Sequence, residues 1–405
     1  MHRWSFVMAL LVLSLAHAVV TVGEPDVARR PLAPEQGCTV LYATDGVSAF
    51  GGNNEDFMNP LTKMWVIPGE NGDYGRVYFG FEDLHAQGGM NEKGLFIDGL
   101  GIDQPCTVDT TGKQEYPANL VDKIMCECAT VDCAIEQFER YYASEYWFWQ
   151  FLLGDATGVS AIIEADAIIR QEGAYQVATN FLQSTTSEAQ ALQLDWRYRE
   201  ATELFEAAET LDVGLMRDIL DAVHVSGDVN TLYSNVYDLT EQIVYLYHFH
   251  DFEDVVIIDL AAVLAKGLYV VDLPTLFPSN GEEQAWAAPM LEQRVFLIES
   301  IRDSSITGDA LSAYAGQYEM PTGWGDPLLT VEVIAGEQFL LLRFPEYRQF
   351  ELHPLTRTEF GYVGFAMSEY AVMLNVRFGL GDDGRAEYLE LAMGDQVFRS
   401  EWVSP

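Results

Sequence analysis

Gly37-Cys38 and the Asn53-Asn54-Glu55-Asp56 run are the stretches of this chain whose residue types and order suggest chemistry. A thiol needs a base before it can attack. If the Gly37–Cys38 bond is cut, Cys38 gains a free α-amine, with an unperturbed pKa of about 8, a few ångströms from its own sulfur. One residue then supplies both nucleophile and base, and no histidine is needed. Gly37 suits such a cut, because a residue without a side chain lets the thiol reach its carbonyl and tolerates strained geometry. Thr44-Asp45-Gly46 is a hairpin signal between two short strands. A hairpin there returns Asp56 toward Cys38, where a carboxylate orients the amine and favours its protonated form.

Other chemistry fits less well. No G-x-S-x-G element is present, and the serines of "GVSAF" and "GVSAI" lie in strand segments. His248 and His250, at i and i+2 on an expected strand, share a face beside Asp251, but no third ligand motif accompanies them. A Cys38 pair with His224 or His85 stays open, since such pairs form in space rather than in sequence. Lipidation of Cys38 matches poorly, because Glu35-Gln36-Gly37 precedes it far beyond the apolar stretch ending near Leu15. Cys106, Cys126, Cys128 and Cys133 form an even set in which one or two disulfides are possible. Three of them share an expected helix from about Pro117 to Tyr142, where neighbouring positions are poorly placed to pair.

The elements that must position these residues read as a strand-rich core with helical cover. After Cys38 come strands at "KMWVIPG", "RVYFGFE" and "GLFIDGLG", and then a hairpin about Gly154-Asp155. "YQVATNF" adds a strand, residues 195–222 are helical in period, and strands follow at "TLYSNVYD", "QIVYLYHFH" and "VVIIDL". Gly94 and the Gly88-Gly89 pair read as turn glycines. Residues 276–289 read as a Pro/Gly/Glu connector and "MLEQRVFLIESIRD" as a short amphipathic helix. From Leu311 the pattern is all β, with turns at Ala335-Gly336 and Asp383-Gly384.

At 405 residues two domains are the natural expectation, and 49% hydrophobic residues suffice for a real core. A net charge of −40 repels phosphate backbones and anionic membrane surfaces, which excludes nucleic acid as a partner. "MHRWSFVMALLVLSLAHA" has the basic start, apolar middle and Ala-His-Ala end of a secretory signal. Its apolar part is short for a membrane span, so no stable membrane insertion is expected. The expected organisation is a signal peptide over 1–18, a pro-segment over 19–37, a catalytic domain over 38–303 and a β domain over 304–405. The expected location is secreted or periplasmic.

"CTVLYATDGVSAFGGNNEDF", "GGMNEKGLFIDG", "LLGDATGVSAIIE", "YQVATNF" and "TLYSNVYDLTEQIVYLYHF", in that order over residues 38–260, resemble the choloylglycine hydrolase branch of the N-terminal-nucleophile hydrolases. That grouping of linear-amide hydrolases includes bile salt hydrolase, penicillin V acylase, acid ceramidase and the isopenicillin N acyltransferases. The resemblance implies a four-layer αββα sandwich and hydrolysis of a non-peptide C–N amide through an acyl-enzyme, with no metal or organic cofactor. Carried onto this chain, it implies Cys38 as nucleophile, Asp56 as the carboxylate beside its amine, and Asn180 as an oxyanion donor. Asn53 stands where relatives carry arginine, and Gly101 where they carry asparagine; losing the arginine loosens the link to acidic substrates, while the resemblance keeps Asn53 as a catalytic-site residue that still donates a hydrogen bond. The tail from "LSAYAGQYEM" resembles small lipocalin-like domains.

The expectation is therefore a secreted, self-processing cysteine amidase acting on a small-molecule N-acyl amide. Acyl transfer to an amine, and a non-catalytic secreted binding protein, are the alternatives.

Overall fold

The structure, a computed structural model, describes residues 37–102, 109–116, 118–143, 148–164, 167–320, 329–345, 347–366, 369–393 and 396–404. The expected signal peptide, nearly all of the pro-segment, and Cys106 lie outside them. The described residues divide into two compact units, those within 37–81 and 86–280, and those within 82–85 and 281–404.

The first unit opens with β1 (Thr39–Thr44) and β2 (Ala49–Phe57), followed by β3 (Thr62–Ile67), β4 (Arg76–Phe81), β5 (Ala86–Asn91) and β6 (Phe96–Gly101). The two-residue strands β7 (Gln114–Glu115) and β8 (Tyr141–Tyr142) bracket α1 (Leu120–Glu127) and α2 (Val131–Arg140). Then come β9 (Trp149–Gly154), β10 (Ser160–Glu164), β11 (Ala167–Arg170) and β12 (Tyr175–Ala178). Helices α3 (Glu188–Leu194), α4 (Trp196–Ala207) and α5 (Val213–Ala222) follow. The unit ends with β13 (Asn230–Asp238), β14 (Ile243–His248), β15 (Asp251–Asp259), α6 (Leu260–Leu264) and β16 (Tyr269–Asp272).

Two antiparallel sheets result: β12-β1-β2-β13-β14-β15, and β11-β10-β9-β6-β5-β4-β3-β16. The β1–β2 hairpin closes where sequence places it. Gly46 takes φ +82°, and Asp45 Oδ1 accepts from the amides of Val47 (2.8 Å) and Ser48 (2.7 Å). Strand alternation then separates two faces. Leu41, Ala43 and Val236 face outward onto Ala201, Phe205, Met216 and Leu220 of α4 and α5. Tyr42 and Gly51 face the second sheet, where a β-carbon on Gly51 would meet Phe96 and one on Gly154 would meet Tyr42. Phe96 and Tyr237 join the sheets with ring centroids 4.8 Å apart. On the far side of the second sheet, α1 is fixed by Arg76, whose Nε donates to Asp122 at 2.7 Å. This is the expected αββα order.

Several local expectations are corrected. Gly88 and Gly89 lie inside β5 rather than in a turn; both are needed for close packing, since a β-carbon on Gly88 would meet Asp98 and one on Gly89 would meet the Val77 carbonyl. Gly94, at φ +75°, is a turn glycine. The single cysteine-rich helix is two helices, and Thr130 caps the second by accepting from the amide of Cys133 at 3.3 Å. That break brings Cys128 against Cys133 in a disulfide and leaves Cys126 free. His248 and His250 do not share a strand face: Phe249 and His250 both take φ +47°, a left-handed turn that ends β14.

The connector expected at 276–289 is irregular only as far as Asn280; from Gly281 it is the start of α7 (Gly281–Ile301), the first element of the second unit, which continues through Pro289. Its acidic first turn, Glu282-Glu283, suits the positive end of a helix. Eight strands then close into an up-and-down barrel: β17 (Gly316–Met320), β18 (Leu329–Ala335), β19 (Leu340–Arg343), β20 (Gln349–Pro354), β21 (Glu359–Ala366), β22 (Glu369–Leu380), β23 (Ala386–Met393) and β24 (Gln396–Ser404). Tyr314, Tyr318, Phe350, Phe360 and Phe378 belong to its core. The all-β expectation for this tail is met by a closed barrel of lipocalin-like strand number.

Candidate active site

Cys38 directly precedes β1 and is buried, with a free thiol. Antiparallel pairing sets Thr39 opposite Asn54, so the next step outward sets Cys38 opposite Glu55. Cys38 Sγ stands 3.7 Å from Glu55 Oε1 and 3.9 Å from the Asp56 carbonyl oxygen. The carboxylate that reaches the sulfur is therefore Glu55, which sequence reasoning did not single out. The Asp56 carboxyl turns elsewhere: Oδ1 accepts from Thr231 Oγ1 at 2.5 Å, and Oδ2 lies 3.6 Å from Arg197 Nη1. A register shift between Thr231 and Tyr233 faces Asp56 with Thr231 and Glu55 with Tyr233.

Arg197 is the second residue the sequence did not mark. Its side chain is fully buried, although it sits in the first turn of α4, where a cation opposes the helix dipole. Two carboxylates offset that. Asp195, the N-cap of α4, takes a two-pronged contact from Arg197 Nη2 (2.7 Å) and Nε (3.2 Å), while Asp56 lies beyond Nη1. The guanidinium also donates from Nη1 to the Cys38 carbonyl at 3.0 Å and from Nη2 to Asn180 Oδ1 at 3.2 Å. One planar fork thus joins β1, the end of β2, the Asn180 turn and α4.

Asn180 follows β12. With Oδ1 held by Arg197, its Nδ2 donates to the Gly101 carbonyl at 2.8 Å. Gly37 is packed against the same amide: a β-carbon there would lie 2.2 Å from Asn180 Oδ1. A side chain at position 37 would push that amide out of its place. At Gly101 a β-carbon would meet nothing within 4 Å among the described residues. Asn53 is fully buried, with Oδ1 accepting from Asn235 Nδ2 at 3.0 Å and its own Nδ2 unpaired among the described residues. The structure thus brings Cys38, Asp56 and Asn180 together through Arg197. Asn53 lies opposite Val40, further along the same hairpin.

The electrostatics are those of buried acids. Burial pushes the Cys38 thiol well above its ordinary value, and the Glu55 and Asp56 carboxylates push it further. Glu55 is itself pushed up to about 8, first by burial and then by Asp56, against hydrogen bonds from Cys38 and Tyr233. Asp56 is pushed up to about 7 by burial, opposed by Arg197 and the Thr231 hydroxyl. Asp98, reaching from β6 in the opposite sheet, is raised by burial and by Glu55, and both of its oxygens lack a hydrogen-bond donor among the described residues. Among the described residues no group of three or more His, Cys, Asp or Glu is arranged to hold a metal ion.

No protein-family model matches the chain, and no curated protein matches it. Among solved structures it is similar to penicillin V acylase from Agrobacterium tumefaciens, with 18% identity over 58% of this chain and 91% of that one and a TM-score of 0.45. It is also similar to two variants of the conjugated bile acid hydrolase from Clostridium perfringens. These are 16% and 15% identical, each over 60% of this chain and 97% of that one, with TM-scores of 0.47 and 0.46.

Proposed function

We propose that this chain is a secreted, self-processing cysteine amidase that hydrolyses the C–N bond of a small N-acyl amide. The observation that carries the reading is the Arg197 fork, which joins the Cys38 carbonyl to Asn180 while Gly37 packs on the same Asn180 amide. This supports the reading, because the residue before the bond to be cut packs on a side-chain amide that could donate to an oxyanion.

In turnover Cys38, freed at its N-terminus, attacks the substrate carbonyl. The α-amine takes the thiol proton and returns it to the departing nitrogen. Asn180 has one N–H on Gly101 and a second that can face the oxyanion; such a donor is worth about 3–4 kcal/mol in the transition state. Water then releases the acid from the Cys38 thioester. Asn53 lies deeper between the sheets and contributes a buried donor rather than the positive charge of an arginine.

The test is a panel of N-acyl amino acids, penicillin V and bile conjugates, offered to the mature protein and to Cys38→Ala. Release of amine by the first alone, with an acyl mass trapped on Cys38, supports the reading. Equal release by both proteins contradicts it.

A further inference from the structure

The α-amine that serves as base in turnover does not exist before processing, because it is the amide nitrogen of the Gly37–Cys38 bond. A different group must take the thiol proton for the first cut. Among the described residues, the side chain that reaches Cys38 Sγ is Glu55, at 3.7 Å. The other contact at that sulfur, the Asp56 carbonyl oxygen, is not a base of useful strength. The Asp56 carboxyl is occupied by Thr231 and faces Arg197.

We propose that Glu55 is the general base of self-cleavage, handing that role to the Cys38 amine once the amine is released. This rests on the self-processing reading above. The Glu55 carboxylate accepts the Sγ–H proton, and sulfur adds to the Gly37 carbonyl carbon. The C–N bond then breaks as Glu55 returns the proton to the Cys38 nitrogen, leaving Gly37 as a thioester on Sγ. Water adds to that thioester, the C–S bond breaks, and Gly37 leaves as a carboxylic acid while the thiol regains a proton. One water is consumed and no other reactant is required.

The surroundings set the pH at which this operates. Glu55 faces Cys38 at the start of β1, Tyr233 of β13 (3.4 Å to Oε2), Asp98 of β6, and Asp56 on its own strand. Tyr237 of β13 also feels its charge. The acids and burial outweigh the hydrogen bonds, which holds the carboxyl proton on up to about pH 8. Processing should accelerate as pH rises through that value. Once the amine is free, its ammonium form beside Glu55 favours the carboxylate.

The experiment follows cleavage of the full-length chain, made by cell-free synthesis, by mass over time and across pH 6 to 9.5. It compares wild type, Glu55→Gln, Glu55→Asp and Cys38→Ala. Glu55→Gln should process at least 100-fold more slowly and lose the rise near pH 8. Glu55→Asp should be slowed but keep a rise with pH. A chain begun at Cys38 and carrying Glu55→Gln should regain amide turnover that the uncut Glu55→Gln chain lacks. Processing of Glu55→Gln within threefold of wild type overturns the proposal. If that variant fails to fold, Glu55→Asp decides: a wild-type rate without pH dependence overturns it equally. Cleavage of Cys38→Ala at the same bond would remove the self-processing reading itself, and the proposal with it.

Discussion

Arg197 Nη1 donates to the carbonyl oxygen of Cys38 at 3.0 Å, so a fully buried guanidinium from the first turn of α4 holds the backbone of the candidate nucleophile. The same group fixes Asn180 and is balanced by Asp195 and Asp56. Removing it leaves two buried carboxylates without their cation, a loss of about 3–5 kcal/mol. Arg197→Ala should therefore lower the unfolding free energy by several kcal/mol in a urea titration. Arg197→Lys keeps the charge without the fork, so it should be less destabilised yet lose most of its amidase activity, because Asn180 is no longer oriented.

Gly37→Ala should block the first cut. Its β-carbon would stand 2.2 Å from Asn180 Oδ1, so either the amide or the Gly37–Cys38 bond must move out of line. A time course of precursor loss is the check, with slowing of at least tenfold expected. A Gly37→Ala chain cut as fast as wild type would mean that the contact with Asn180 is not needed for cleavage.

Asn180→Ala in a chain begun at Cys38 should lower kcat by about 10²–10³-fold, the usual effect of removing one oxyanion donor. KM should change little if the donor acts mainly in the transition state. Steady-state kinetics on the best substrate of the panel separates the two parameters.

Stability should fall as pH rises from about 6.5 to 8. Glu55 and Asp56 are raised to about 8 and about 7, above the ordinary carboxyl range, and Asp98 is raised as well. In that window the folded protein holds protons that the unfolded chain has already lost, so raising pH favours unfolding. Below it, buried His248 and His353, lowered to about 4, act in the opposite sense and blunt the trend. The melting temperature across pH 6.5 to 8 reads this out, and Glu55→Gln should show a shallower fall.

Much of the sandwich was legible because its information is local. Asp45-Gly46 marks a hairpin, Gly154-Asp155 marks the end of β9 one residue before the connection to β10 begins, and apolar alternation marks most of the strands between them. The partner of Cys38 was also within reach: a β1–β2 pairing that sets Thr44 against Ala49 must, continued in register, set Cys38 against Glu55. Arg197 was not legible. "DWRYRE" offers Arg197 and Arg199 with nothing local to separate them, and only tertiary packing buries the first while the second stays exposed. The Cys128–Cys133 bond was hidden because helical period runs across a break that the Thr130 cap creates. Residues 276–289 misled through composition, since Pro289 lies within a helix that continues past it.

The most direct measurement is the N-terminus of the mature protein, read by sequencing or intact mass after expression of the full chain. Self-processing predicts a mature chain that begins at Cys38, and a Cys38→Ala variant in which the bond after Gly37 stays uncut. A mature chain beginning at Val19, with Cys38 internal and amide turnover intact, would contradict it.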